Sequence, residues 1–422
     1  MSYATEGAVI STARDRRYDI DALRVLAFGL LILYHVGMFY VYDWGWHVKS
    51  AYQAEWLQLP MLWSNQWRMP LIFLISGLAV SFAWGKYRPM VFAGRRIWRL
   101  FIPLVFGMAI IVAPQAYLEG MTKGVIEPGF WHFFRQYLTF ADFPAEAYGG
   151  AEIITWTWNH LWYLPYLLIY TLLLIPLARF LDGPGGTIPQ AFRRMRGVWL
   201  VVLPIVPLMV YGNFIYPKFP YISHGLFDDW YAHAMYFTFF LYGFLIGRDQ
   251  GLWAELARMR RLTLGLAAAG FASYYAITNL VPDNLFAGQG QLEIVVTYLN
   301  RWLWIVTVLG WGHHVLNRPF RWLPYATEAV FPWYILHQTI TVTVGHQLSG
   351  YSLGPVLEPM LLLIATFGGC FLIHEYIIRR TPLLRPLFGL QARRIRSAVK
   401  QTEPVVATGR NNEAKIHGSS SV

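Results

Sequence analysis

Residues 21–42 read DALRVLAFGLLILYHVGMFYVY. From Val25 onward the run is apolar apart from Tyr34-His35 and two later tyrosines. A helix needs about 20 mostly apolar residues to cross the hydrocarbon core of a bilayer, and this stretch supplies them. No apolar–polar alternation runs through it, so it does not read as a strand of a membrane barrel. It is too long for the apolar part of a cleaved secretory signal, and no small-x-small site follows. The stretch predicts a retained transmembrane helix with one histidine at depth.

Nine further segments have the same character: 68–85, 97–114, 159–180, 197–215, 231–247, 262–280, 294–315, 326–346 and 356–378. The chain therefore predicts an all-α, polytopic membrane protein of about ten transmembrane helices. The composition agrees. Of 422 residues, 56% are hydrophobic and 14% charged, and the mean hydropathy is +0.38. Soluble proteins carry about 25% charged residues, and disorder needs low hydrophobicity, so both classes are excluded for the bulk of the chain. Residues 1–18 read as a disordered cytoplasmic N-terminus, 19–380 as the membrane core, and 381–422 as a basic, largely disordered cytoplasmic tail. Within that tail the stretch 391–400 suits an anionic lipid surface. The section 115–158 reads as a long outer loop rich in aromatic residues. The section 181–196 reads as a flexible link ending in Arg193-Arg194-Met195-Arg196.

The net charge of +11, from 34 Lys and Arg against 23 Asp and Glu, resolves once an orientation is imposed. With both termini cytoplasmic, 28 of the 34 basic residues fall on the inner side and 6 on the outer. This is the positive-inside pattern of a cytoplasmic membrane protein, and it replaces a nucleic-acid reading. The single cysteine, Cys370, excludes an intramolecular disulfide and reads as a buried small hydrophobe.

Ionisable groups inside a span are costly and point to function. Arg24 and His35 are eleven positions apart, about three helical turns, so they share a face about 16 Å apart along the axis. His35 reads either as a neutral imidazole bonded between helices or as a general base. Asp21 and Arg24 read as an i,i+3 ion pair. Ser76-Gly77 within the second span reads as close helix packing, and Arg68, at that span's outer end, as a snorkelling side chain. Arg96 and Arg99 share a face and read either as positive-inside charge or as a clamp for phosphate or carboxylate. His160, Arg301, Tyr334 and His337 lie in later spans. No zinc motif, P-loop, G-x-S-x-G or G-x-G-x-x-G occurs, so no metal site or nucleotide domain is expected.

Taken in order, Asp21-x-x-Arg24 with His35, Met-Pro-Leu-Ile-Phe-Leu-Ile-Ser76-Gly77, Arg95-Arg96-Ile-Trp-Arg99-Leu, His160-Leu-Trp162 and Tyr334-Ile-Leu-His337 resemble the bacterial membrane acyltransferase-3 family. The resemblance runs from about residue 17 to 380 and is nearest the family's glucan-biosynthesis branch. It implies an enzyme of the cytoplasmic (inner) membrane that moves an acyl group, acetyl or succinyl, from a cytoplasmic acyl-CoA to a hydroxyl of an extracytoplasmic sugar or glucan. In that reading Arg96 and Arg99 dock the CoA phosphates with Arg24 nearby. His35 is the general base or a covalent acyl relay, and Asp21 orients Arg24. Ser76, His160, Arg301, Tyr334 and His337 support the cavity. Acyl-CoA is a donor substrate, and no bound cofactor is expected. Leu78 stands where family members usually carry Phe or Tyr after Ser-Gly. A transporter or exporter of polysaccharide or lipid is the rival class, separated by whether acyl-CoA is consumed.

Overall fold

The computed structural model describes residues 16–139, 156–181, 187–247, 249–283 and 285–392. These are helical throughout, with no strand among them and one isolated bridge between Val41 and Ala54. In chain order the helices are α1 (Tyr18–Tyr40), α2 (Gln58–Ala83), α3 (Pro89–Phe106), α4 (Ala113–Thr122), α5 (Phe130–Leu138), α6 (Tyr163–Leu181) and α7 (Thr187–Arg194). There follow α8 (Val198–Val202), α9 (Ile205–Phe214), α10 (Trp230–Ile246), α11 (Gln250–Asn279), α12 (Gln289–Leu316), α13 (Leu323–Leu348), α14 (Gly354–Leu372) and α15 (Leu384–Leu387). Each of the ten apolar segments read from the sequence is helical. Six helical stretches are long and apolar enough to cross a membrane: Tyr18–Tyr40, Glu55–Ala83, Pro89–Thr122, Asn159–Ala178, Gln289–Leu316 and Gly354–Ile378. Large apolar side chains stand outward on them, such as Ile364 at 65% exposure. Exposure on that scale is stable against lipid tails and costly against water.

Two loop expectations are corrected. The section 115–158 is not a loop throughout, because α4 occupies its start and α5 its middle. Phe133 and Tyr137 of α5 bury against Ala113 and Ala116 of α4, which fixes the short amphipathic helix. Residues 140–155 lie outside the described residues. In 181–196, residues Thr187–Arg194 form α7 rather than a flexible link, and 182–186 lie outside the described residues. At the ends, Arg16 and Arg17 already make ion pairs, and α1 begins at Tyr18. The tail stays packed past residue 381. Phe388 is buried, and Arg385 bonds Glu328 at 3.4 Å and the Gln391 carbonyl at 2.9 Å.

Lipid tails offer helices no hydrophobic drive to associate, so small residues set the close approaches. A Cβ on Gly77 of α2 would strike the Phe240 carbonyl of α10, and one on Gly243 of α10 would strike the Leu74 carbonyl of α2. The two glycines thus let the backbones of α2 and α10 touch, which accounts for the Ser76-Gly77 pair.

Helix α1 packs at the centre, against α2, α12, α13 and α14, and is pinned at both ends. At its start, fully buried Asp19 accepts from Arg17 at 2.7 Å and bonds His313 of α12 at 2.6 Å. Arg17 also lies over the Trp253 ring at 4.0 Å. At its end, Lys49 donates to the carbonyls of Met38 (2.9 Å) and Val41, two acceptors the helix leaves free. Ser50 adds a bond from its N–H to Phe39 (3.0 Å) and one from its hydroxyl to buried Glu358 (2.7 Å). These anchors fix how far along the bundle His35 stands.

Candidate active site

A cavity of about 310 Å³ opens among α1, α2, the turn before α6, α10 and α13. Phe28, Leu31, His35 and Met38 line it from α1, at the spacing of one helical face. Asn65, Arg68, Met69 and Ile72 face it from α2, with Tyr163, Trp162 and His160 opposite.

Three of the expected site residues meet as histidines: His35 and His160 line the cavity, and His337 packs against both. His35 Nδ1 lies 2.8 Å from His337 Nε2, with the rings stacked at 4.9 Å. His337 Nδ1 faces only carbonyls, Tyr334 at 2.8 Å and Trp333 at 3.2 Å. A carbonyl only accepts, so His337 carries its proton on Nδ1, and its Nε2 is a lone pair. His35 must then donate from Nδ1, which leaves the lone pair of its Nε2 on the cavity side, where it makes no hydrogen bond among the described residues.

His160 is held differently. Its Nε2 faces the Ile335 carbonyl at 3.1 Å and so donates, while Nδ1 accepts from Gln115 at 3.3 Å. The Tyr334 hydroxyl donates to the His160 carbonyl at 2.7 Å. Both nitrogens of His160 and of His337 are therefore engaged, and only His35 presents one that is free. No cluster of three His, Cys, Asp or Glu side chains among the described residues is arranged to hold a metal ion.

A polar belt braces this wall. Gln338 Nε2 bonds Gln115 Oε1 at 3.1 Å and reaches His47 Nε2 at 2.9 Å, and His47 pairs with Glu119. Gln115 donates to Thr339 at 2.6 Å, and Thr339 donates to the Ile111 carbonyl at 2.6 Å. That carbonyl belongs to a π-helical turn, Gly107–Ile111, which disturbs the ordinary helix ladder, and Tyr137 likewise donates to Met108 at 2.8 Å. His224, from the segment before α10, stacks on Trp162 at 4.2 Å, and burial pushes its pKa down to about 4. Sequence reasoning did not single out Gln115, Gln338, His47 or His224. They carry no periodic signal and meet only in the fold.

The arginines divide. Arg24 pairs with Asp21 at 2.9 Å, as the i,i+3 spacing predicts. Arg24, Arg96 and Arg99 are electrostatic neighbours of one another, and Arg96 and Arg24 of Tyr163. None of the three lines the cavity. Tyr163 stands between, on the cavity wall and bonded to Ser76, whose hydroxyl also donates to the Ile72 carbonyl at 2.8 Å. Arg301 lies apart from the cavity. It donates to the Gln66 carbonyl at 2.8 Å and contacts Met235 Sδ at 2.7 Å, bridging α12 to α2 and α10. Arg68, read from the sequence as snorkelling, is buried on the cavity wall instead.

A helical membrane core with a free imidazole nitrogen at a cavity fits a transferase acting at the membrane. The family model for the acyltransferase domain of type 3 matches residues 17–375, and the chain belongs to that family: it is a membrane acyltransferase. Among curated proteins it is similar to glucans biosynthesis protein C of Escherichia coli strain K12, at 26% identity over 383 residues, covering 88% of this chain and 94% of the relative. The protein of the same name from Escherichia coli O81 (strain ED1a) matches to the same extent. No solved structure matches.

Proposed function

We propose that the protein transfers an acyl group from acyl-CoA to a hydroxyl of an extracytoplasmic sugar or glucan, with His35 as the general base. The observation that supports this most is the ordered pair His337–His35, which leaves one basic nitrogen on the cavity side. The acceptor hydroxyl gives its proton to His35 Nε2 as its oxygen attacks the thioester carbonyl. The C–S bond then breaks, and the proton passes to the departing CoA thiolate. During the step His35 is an imidazolium whose Nδ1–H still points at the His337 lone pair, so the charge arises against a prepared acceptor.

In this reading all ten apolar segments span the inner membrane with both termini cytoplasmic, and the positive-inside charge pattern supports that orientation. Arg24, Arg96 and Arg99 then stand at the cytoplasmic end and receive the CoA phosphates, while the His35 cavity lies toward the outer end. The name of the E. coli relatives supports a glucan as acceptor. The test is a proteoliposome experiment with acyl-labelled CoA outside, on the cytoplasmic face, and glucan inside. The expected result is label on the glucan. Glucan movement without consumption of acyl-CoA would support a transporter instead.

A further inference from the structure

We propose that Arg68 is the anion receptor of the transfer cavity, binding a negatively charged oxygen of the acyl group beside His35. Arg68 is 5% exposed, and its Nε and Nη1 have no hydrogen-bond partner. No carboxylate pairs with it among the described residues, and the groups that face it are the phenols of Tyr34 and Tyr236. A buried charge left unpaired is strongly destabilising. The Tyr34 ring, 3.3 Å from the guanidinium carbon, offsets part of this cost as a cation–π contact. Tyr34 also hydrogen-bonds the guanidinium, yet Nε and Nη1 remain unpartnered, and guanidinium N–H groups are the ones that grip an anionic oxygen. Arg68 lines the same cavity as His35, and Tyr34 is the residue next to the base.

The inference rests on the acyl-transfer reading. An anionic oxygen reaches this place from one of two sources. One is the carbonyl oxygen, which becomes negative when the acceptor oxygen bonds to carbon and the acceptor's proton moves to His35, and which returns to a carbonyl as the C–S bond breaks. The other is a permanent carboxylate at the far end of the acyl chain. The chemistry of recognition is the same, and the donor used separates them.

The experiment compares wild-type protein with Arg68→Met and Arg68→Lys, using acetyl-CoA and succinyl-CoA as donors. A fall in kcat of about 10²–10³-fold with both donors assigns the transient oxyanion. A loss confined to succinyl-CoA, read as a raised KM, assigns the carboxylate. Wild-type rates with both donors in Arg68→Met overturn the proposal. Thermal unfolding of the purified protein without substrate gives a reading that does not depend on the donor. If wild-type protein consumes neither acyl-CoA, the donor reading fails, and this measurement alone decides the role of Arg68. An unpaired receptor predicts that Arg68→Met holds or raises the melting temperature, because a buried charge is removed. A melting temperature lowered by several degrees marks Arg68 as a structural cation and overturns the proposal.

Discussion

His35 and His337 are 302 residues apart in the chain, yet Nδ1 of the first lies 2.8 Å from Nε2 of the second. The carbonyls behind His337 fix its proton, and that proton fixes the one on His35. On the proposed mechanism His337 is a positioning residue. Its replacement by Phe is expected to lower kcat about 10²-fold, within the range of general-base catalysis, with KM for both substrates unchanged. Gln retains an acceptor oxygen at this position, so His337→Gln is expected to recover part of the loss. Equal loss in Phe and Gln variants would show that the hydrogen bond does not matter.

The arginine cluster predicts a different kinetic signature. On the proposed mechanism, Arg96→Gln and Arg99→Gln remove contacts to a part of the donor that does not react. Such contacts are made equally in ground and transition states, so KM for acyl-CoA should rise, about tenfold for each 1.4 kcal/mol lost, with kcat retained. Steady-state kinetics in donor concentration check this. A raised KM for the acceptor alone would place the donor elsewhere.

Gly77 tests the packing that carries the cavity. A methyl there meets the backbone carbonyl of Phe240, which has no rotamer to escape into. Gly77→Ala is expected to destabilise the protein by about 1–3 kcal/mol through overpacking, seen as a lower melting temperature in detergent. Gly29, whose added Cβ would meet nothing, is the control and should tolerate Ala.

His224 gives the stability a pH dependence. Burial holds its folded pKa near 4, below the ordinary 6.5. Above pH 6.5 both folded and unfolded states keep it neutral, and its contribution is constant. As pH falls from 6.5 toward 4, the unfolded chain binds a proton that the folded protein does not, so unfolding becomes more favourable. Thermal melts across this window should show a smaller loss of stability in His224→Gln than in wild type. Identical pH dependence would contradict the assignment.

These sites differ in how far the sequence announces them. The helical character of the chain and its six long apolar helices are legible because an apolar run of bilayer length has few other solutions. His35 and the Asp21–Arg24 pair are legible because helical spacing relates residues on one element. The His35–His337 bond joins α1 to α13, and no pattern within either helix reports it. Arg68 and Arg301 show the same limit. Each is an arginine near the end of an apolar run, a place where the side chain can reach water. Which of them lines the cavity is decided by the packing of α2, α10 and α12. The segment 115–158 looked like a loop because its helices are short and aromatic, and their stability comes from Phe133 and Tyr137 packing on α4.

The central claim is that the free nitrogen of His35 takes the acceptor's proton. The most direct measurement is the transfer rate from acyl-labelled CoA to acceptor by purified His35→Ala protein, with its melting temperature as the check on folding. The account predicts a fall of at least about 10²-fold with the fold retained. Transfer at the wild-type rate would contradict it.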